Sequence, residues 1–188
     1  NIDAWIDHYV AMQLMSDWDH VSHNYHIYRS PDSPLWEIVP KDFDQAFGNP
    51  ALALLQGVKT SPRQPLASYN VLTSRLLNVP LFRQWYVDKA NALLAASYTP
   101  ARLGAVIDAG HAAVAAEARV DVNKRYREDN AAFDGSDTVL KDFVAQRIDF
   151  VRANLPGVTP GLAPAVLINE VLPDNRSGAV NGAGLRSP

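Results

Sequence analysis

Apolar residues recur at helical intervals from the start of the chain. Ile2, Trp5, Ile6, Tyr9 and Val10 fall on one face, with Asn1 or Asp3 available to cap the first turn. The spacing predicts an amphipathic helix over residues 2–15, which delivers the chain to Asp17 and Asp19. From Asn24 the texture changes to two short β-like stretches, NYHIYR and LWEIV, separated by the turn-forming SPDSP. A hairpin is expected here. Because an antiparallel pair returns the chain to where it began, it brings Asp42 back beside Asn24.

After Gly48 a Pro/Gly-containing stretch runs to about Pro65, and the next ninety residues read as mainly helical. One helix is expected from Leu66 to Leu77, and Pro80 marks the start of another carrying Phe82, Trp85, Tyr86 and Leu93. Thr99 followed by Pro100 opens an Ala-rich helix with Leu103, Val106, Ile107 and Val114 on one side. Ser136 or Asp137 is expected to cap a last helix with Leu140, Phe143, Val144, Arg147, Ile148 and Val151 at the same period. Such stripes are expected to be core rather than a cofactor cage. Three prolines and two glycines in LPGVTPGLAP then signal a linker, and the strand-like AVLINEV follows. The organisation expected is a helical unit over 1–155, a linker over 156–164 and a β segment over 165–188.

The 188 residues, 47% hydrophobic and 20% charged, are ordinary for a globular protein with a sizeable core. A net charge of −3 conceals an asymmetry. Residues 1–50 hold eight Asp/Glu against Arg29 and Lys41, giving −6, while the remainder is +3. Clustered carboxylates repel unless a cation or solvent screens them, so the acidic stretch suits a divalent metal or a solvated surface. No Lys/Arg-rich block points to nucleic acid. The absence of cysteine excludes disulfides, zinc–thiolate sites and thiol catalysis. No apolar run has membrane-spanning length, so no transmembrane segment is expected, and no signal peptide stands at the first residue. With no Met start, the chain reads as a fragment or a processed piece.

Against this background Asp19, Asn24, Asp42 and Asp44 set out oxygen ligands within twenty-six residues. Phosphoryl transfer needs little covalent help from a protein, but it needs metal held against phosphate oxygens and a carboxylate orienting the attacking hydroxyl. In protein kinases a catalytic Asp, an Asn five residues later and a second Asp beyond a short hairpin do this work. Asp19, Asn24 and Asp42 fall in that order, with Asp17 a local competitor seven residues from Asn24. Taken singly, each of these residues is also a common turn or cap residue.

These residues resemble a known family. DWDHVSHNYHIYR, LWEIVPKDFDQAFG, RLLNVPLFRQWY and KDFVAQRIDFVRANL are similar, in order and spacing, to the spore coat protein H (CotH) kinase-like family over about residues 1–155. LINEVLPDN is similar to the opening strand of a lamin-tail domain. The resemblance implies an α+β, mainly α fold: the larger helical lobe of an atypical protein kinase, with a small β-hairpin at the active site and then a truncated β segment. It implies ATP with Mg²⁺ or Mn²⁺ as cofactors and Ser or Thr of secreted or coat proteins as substrate. Asp19 then matches the catalytic aspartate, Asn24 and Asp42 bind cofactor and metal, and Asp44 assists at the metal. A secreted or cell-surface location follows, the spore coat included.

Two departures bear on activity. Lys41 stands where the family usually has Trp before the metal aspartate. The smaller lobe that supplies the ATP-binding lysine precedes this segment in the family, so this stretch alone is expected to bind ATP weakly and turn nothing over. The alternative is a surface or coat interaction module on a kinase-like scaffold that has lost catalysis. His20, His23 and His26 invite a zinc reading, but a strand over 24–28 denies them helical ligand geometry, and the alternative is that one of them orients the loop, as the His of kinase catalytic loops does. Neither a Gly-x-Ser-x-Gly elbow nor a Gly-rich phosphate loop occurs. Asp-x-Asp at 17/19 and 42/44 is all that points to a glycosyltransferase.

Overall fold

A computed structural model describes residues 1–21, 23–59, 69–121 and 130–158. The first helix, α1 (Ile2–Leu14), begins where Asn1 Oδ1 accepts the Ala4 N–H at 3.2 Å, and it buries Ile6, Tyr9, Val10 and Leu14. It packs against α3 (Pro80–Ala96), whose Pro80 occupies the first turn, where no N–H is needed. Lys89 of α3 reaches Asp3 and Asp7 of α1 at 2.9 and 2.7 Å, an exposed clamp over the buried seam. Beneath it lie Tyr86, Ala90 and Leu94, joined by Phe143, Val144, Ile148 and Val151 of α5 (Asn130–Asn154). Before α3 comes the short α2 (Val71–Leu77), and α4 (Pro100–Val120) pairs with α5.

Buried hydroxyls fasten this core to the loops around it. Tyr9 Oη–H donates to the Gln56 carbonyl at 2.6 Å and Tyr98 Oη–H to the Leu14 carbonyl at 2.7 Å, so neither phenol is orphaned. Burial raises the pKa of both phenols, that of Tyr98 to about 12. The Arg147 side chain is fully buried and donates to the carbonyls of Gln13, Pro50 and Leu52. It thereby fixes the segment that follows the Asp42 loop.

Strands β1 (Tyr25–Tyr28) and β2 (Glu37–Pro40) form an antiparallel hairpin pairing Tyr25 with Pro40 and Tyr28 with Glu37. The expected hairpin is present, with shorter strands. Asn24 is excluded because its φ of 57° is left-handed, and Leu35 and Trp36 precede β2.

Three helical expectations are corrected. The second helix starts at Val71, where Asn70 Oδ1 accepts the Thr73 N–H at 3.0 Å; residues 66–68 lie outside the described residues. Neither Ser136 nor Asp137 caps α5, which already runs from Asn130; Ser136 satisfies its hydroxyl inside the helix by donating to the Phe133 carbonyl. The α4 stripe is not core. Leu103 and Ile107 pack half-buried on it, but Val106 and Val114 are 67% and 52% exposed. Thr99 caps α4 as expected, its Oγ1 accepting the Arg102 N–H at 3.3 Å.

A turn at Leu155–Gly157 tucks Leu155 into the core, and Val158 packs partly buried against it. The β segment expected over 165–188 and the linker beyond Val158 lie outside the described residues. The mainly α architecture with a small hairpin matches the fold class read from the sequence.

Candidate active site

At the end of α1 the chain turns through Ser16, whose φ is 58°, into a short 3₁₀ turn at Asp19–Val21. The turn inverts the usual rule of charges outside. Asp17 is wholly buried and Asp19 is 8% exposed, while Trp18 between them is 50% exposed. Burying carboxylates is costly without donors, and here one oxygen of each accepts a hydrogen bond while the other has an imidazole nitrogen beside it. Asp17 Oδ1 accepts the Asp19 N–H at 3.2 Å, and Asp17 Oδ2 lies 2.9 Å from Nδ1 of the buried His20, in contact but not aligned as a hydrogen bond. Asp19 Oδ2 accepts from Asn24 Nδ2 at 2.8 Å, and its Oδ1 lies 2.8 Å from Nε2 of the exposed His23.

The Asp19–Asn24 contact sets the direction of the amide. An ionised carboxylate only accepts, so the Asn24 NH₂ faces Asp19 and its Oδ1 is turned elsewhere. The left-handed backbone of Asn24 belongs to the same arrangement, since Asn tolerates that region better than most residues. One residue beyond β2, the Lys41 N–H donates to the Asn24 carbonyl at 2.9 Å. That bond closes the mouth of the hairpin and sets Asp42 next in the chain to a residue paired with Asn24. Asp42 is exposed and also left-handed, with φ 60°. Left-handed residues other than glycine, here one on each side at the open end of the hairpin, cluster at functional sites.

The ring of Phe43 stacks on His20, with centroids 4.9 Å apart and planes at 28°. His8 of α1 approaches the same histidine at 5.5 Å, and burial, with a smaller contribution from His20, lowers the His8 pKa to about 4 against the opposing pull of Asp17. Asp44 stands apart: it is exposed, and its Oδ2 accepts from the neighbouring Gln45 amide at 3.0 Å.

Hard divalent cations take oxygen ligands. Magnesium is usually held by one or two carboxylates and substrate phosphates rather than by an all-protein cage. Asn24 Oδ1 and the Asp42 carboxylate suit that pattern, and no group of three or more His, Asp or Glu that could hold a metal occurs among the described residues. The histidines do not converge: His20 is buried, His23 sits at Asp19, and His26 is exposed on β1.

Of the residues expected at the site, Asp19 and Asn24 are in contact and Asp42 is tied to Asn24 through Lys41, while the hydrogen bond of Asp44 is with Gln45. Sequence reasoning left the parts of Asp17 and His20 open, the first as a competitor of Asp19 and the second as one of three histidines that could orient the loop, and it missed that of Phe43. The i, i+3 spacing of Asp17 and His20 was the visible signal for the first two. Phe43 gave none, because its partner lies twenty-three residues earlier.

A family model described as CotH kinase protein matches residues 1–151. The chain is also similar to "Inner spore coat protein H" of Bacillus subtilis (strain 168), at 23% identity over 156 residues. The matched part is 82% of this chain but 41% of that protein, so the chain spans less than half of its relative.

Proposed function

This chain belongs to the CotH kinase family, and from that premise we propose that the full-length protein is an atypical protein kinase. It transfers the γ-phosphoryl group of ATP to Ser or Thr of a coat or cell-surface protein. A coat setting accords with the similarity to an inner spore coat protein. No helix among the described residues is long and apolar enough to cross a membrane.

In this reading Asp19 orients the acceptor hydroxyl and takes its proton as the new O–P bond forms and the bond to the leaving ADP oxygen breaks. The contact of the exposed His23 with Asp19 Oδ1 is the one the hydroxyl displaces. Asn24, locked by its bond to Asp19, and Asp42 would hold Mg²⁺ or Mn²⁺. The metal, when bound, neutralises charge on the phosphate oxygens. The observation that carries the reading is the buried Asn24–Asp19 hydrogen bond, which couples a metal-ligand type to a base type at the spacing the chemistry needs.

One observation favours a second reading, a non-catalytic coat or surface interaction module. Lys41 precedes Asp42 in the chain where the family usually has Trp, and a positive charge in that segment disfavours a bound cation nearby. The test is phosphopeptide formation by the full-length protein with ATP and Mg²⁺ or Mn²⁺, against its Asp19→Asn variant. The kinase reading expects a rate loss of roughly 10²- to 10⁴-fold. Equal and negligible product from both folded proteins would select the module.

A further inference from the structure

We infer that Lys41 is a phosphate contact: held between Asn24 and Asp42, its ammonium binds the polyphosphate that arrives with the metal and so sets the affinity for metal–nucleotide. The inference rests on the phosphotransfer reading of the site.

The hairpin fixes the place of Lys41. Tyr25 pairs with Pro40, and one step further out Lys41 stands opposite Asn24, to whose carbonyl its N–H donates at 2.9 Å. Asp42 follows it in the chain. Lys41 thus adjoins both proposed metal ligands, one across the hairpin and one along the backbone. Side chains alternate along a strand, so Lys41 shares the exposed face of Val39 and His26, while Tyr25 on the opposite face packs edge-on against Trp5 of α1 at 5.2 Å.

The surrounding charge leaves this ammonium without a structural use. Arg29 and Lys41 are the two Lys/Arg residues among the first fifty, and Arg29 lies at the turn end of the hairpin, where its Nε donates to the Ser33 carbonyl at 3.2 Å. Lys41 is exposed in a segment that also holds Asp42 and Asp44, yet among the described residues no carboxylate lies within ion-pair distance of its Nζ. A lysine is a compact point charge suited to phosphate oxygens. Its influence has two signs. It repels a bare divalent cation, but a polyphosphate carries more negative charge than one such ion neutralises, so the same ammonium attracts the loaded nucleotide. A residue acting through packing alone would move both affinities together.

The test uses the full-length protein with Lys41→Gln, Lys41→Arg and, as a control for the charge of the acidic stretch, Arg29→Gln. Two dissociation constants are measured at equilibrium, one for free Mn²⁺ and one for Mn²⁺–ATP, with phosphotransfer followed beside them. Each variant keeps the backbone bond to Asn24. Lys41→Gln is expected to weaken Mn²⁺–ATP binding roughly 5- to 20-fold, the scale of one exposed charge-assisted contact, while binding free Mn²⁺ no more weakly than wild type. Lys41→Arg should stay within about 3-fold of wild type for Mn²⁺–ATP, since it keeps the charge, and Arg29→Gln should match wild type. Unchanged Mn²⁺–ATP binding in Lys41→Gln, or equal weakening of Mn²⁺ and Mn²⁺–ATP, would overturn the inference. A wild type that binds Mn²⁺–ATP but transfers no phosphoryl group overturns the kinase reading instead, and the binding comparison still decides the role of Lys41; a wild type that binds no Mn²⁺–ATP overturns both.

Discussion

Arg147 offers the sharpest energetic prediction. Its guanidinium is fully buried and, among the described residues, touches no carboxylate; it donates to Gln13 O at 3.2 and 2.6 Å, Pro50 O at 2.9 Å and Leu52 O at 2.6 Å. Desolvation pulls its pKa below the ordinary value, so holding the cation there carries a cost that the four contacts offset. Arg147→Met preserves much of the stem packing and removes the donors. Gln13 O keeps the Ser16 N–H at 3.2 Å, which leaves the Pro50 and Leu52 carbonyls as the acceptors that lose a partner. At roughly 1–3 kcal/mol for each orphaned acceptor, less the relief of the desolvated charge, the net loss is about 2–4 kcal/mol. For a chain of this size that corresponds to a Tm lower by roughly 5–15 °C. Urea and thermal unfolding followed by circular dichroism measure it. Arg147→Lys, a point charge without the planar fork, should recover only part of the loss. A Met variant within about 0.5 kcal/mol of wild type would refute the reasoning, because surface substitutions alone stay in that range.

Two further outcomes are expected. The His8 pKa is lowered from 6.5 to about 4, so between those values the unfolded chain binds the proton and the folded one does not; this contribution to stability falls as pH drops from about 6.5 and levels off near 4. His8→Gln should flatten that slope in urea midpoints measured across the window, and an identical slope in variant and wild type would count against it. Asn70 caps α2 through Oδ1 and also donates from Nδ2 to Tyr25 Oη at 2.9 Å, tying the helix to β1. Asn70→Ala should therefore cost about 1–2 kcal/mol, more than Asn70→Asp, which keeps the cap; equal stability of the two variants by urea unfolding would show that the cap contributes nothing.

What the sequence disclosed was whatever depends on near neighbours. The Asn1 helix and the Thr99–Pro100 start were legible because caps and first-turn prolines act within a few residues. Asp19 and Asn24 were legible for the same reason, their contact closing one short turn. Ser136 misled because its hydroxyl can bond a carbonyl three residues back inside a helix as readily as it caps one. The α4 stripe misled because periodicity says which residues share a face and not whether anything covers it; Leu103 and Ile107 meet the core, Val106 and Val114 do not. The His20–Phe43 stack was invisible, since it exists only once the hairpin has folded back and closed through Lys41 and Asn24.

The central claim is that Asn24 and Asp42 form the metal side of a phosphotransfer site served by Asp19. Its most direct test is phosphate incorporation from γ-labelled ATP, with Mg²⁺ or Mn²⁺, by the full-length protein beside its Asp42→Asn variant, both shown to be folded. The account predicts label with the wild type and its loss with the variant, whereas equal labelling of the two, or none in either, would contradict it.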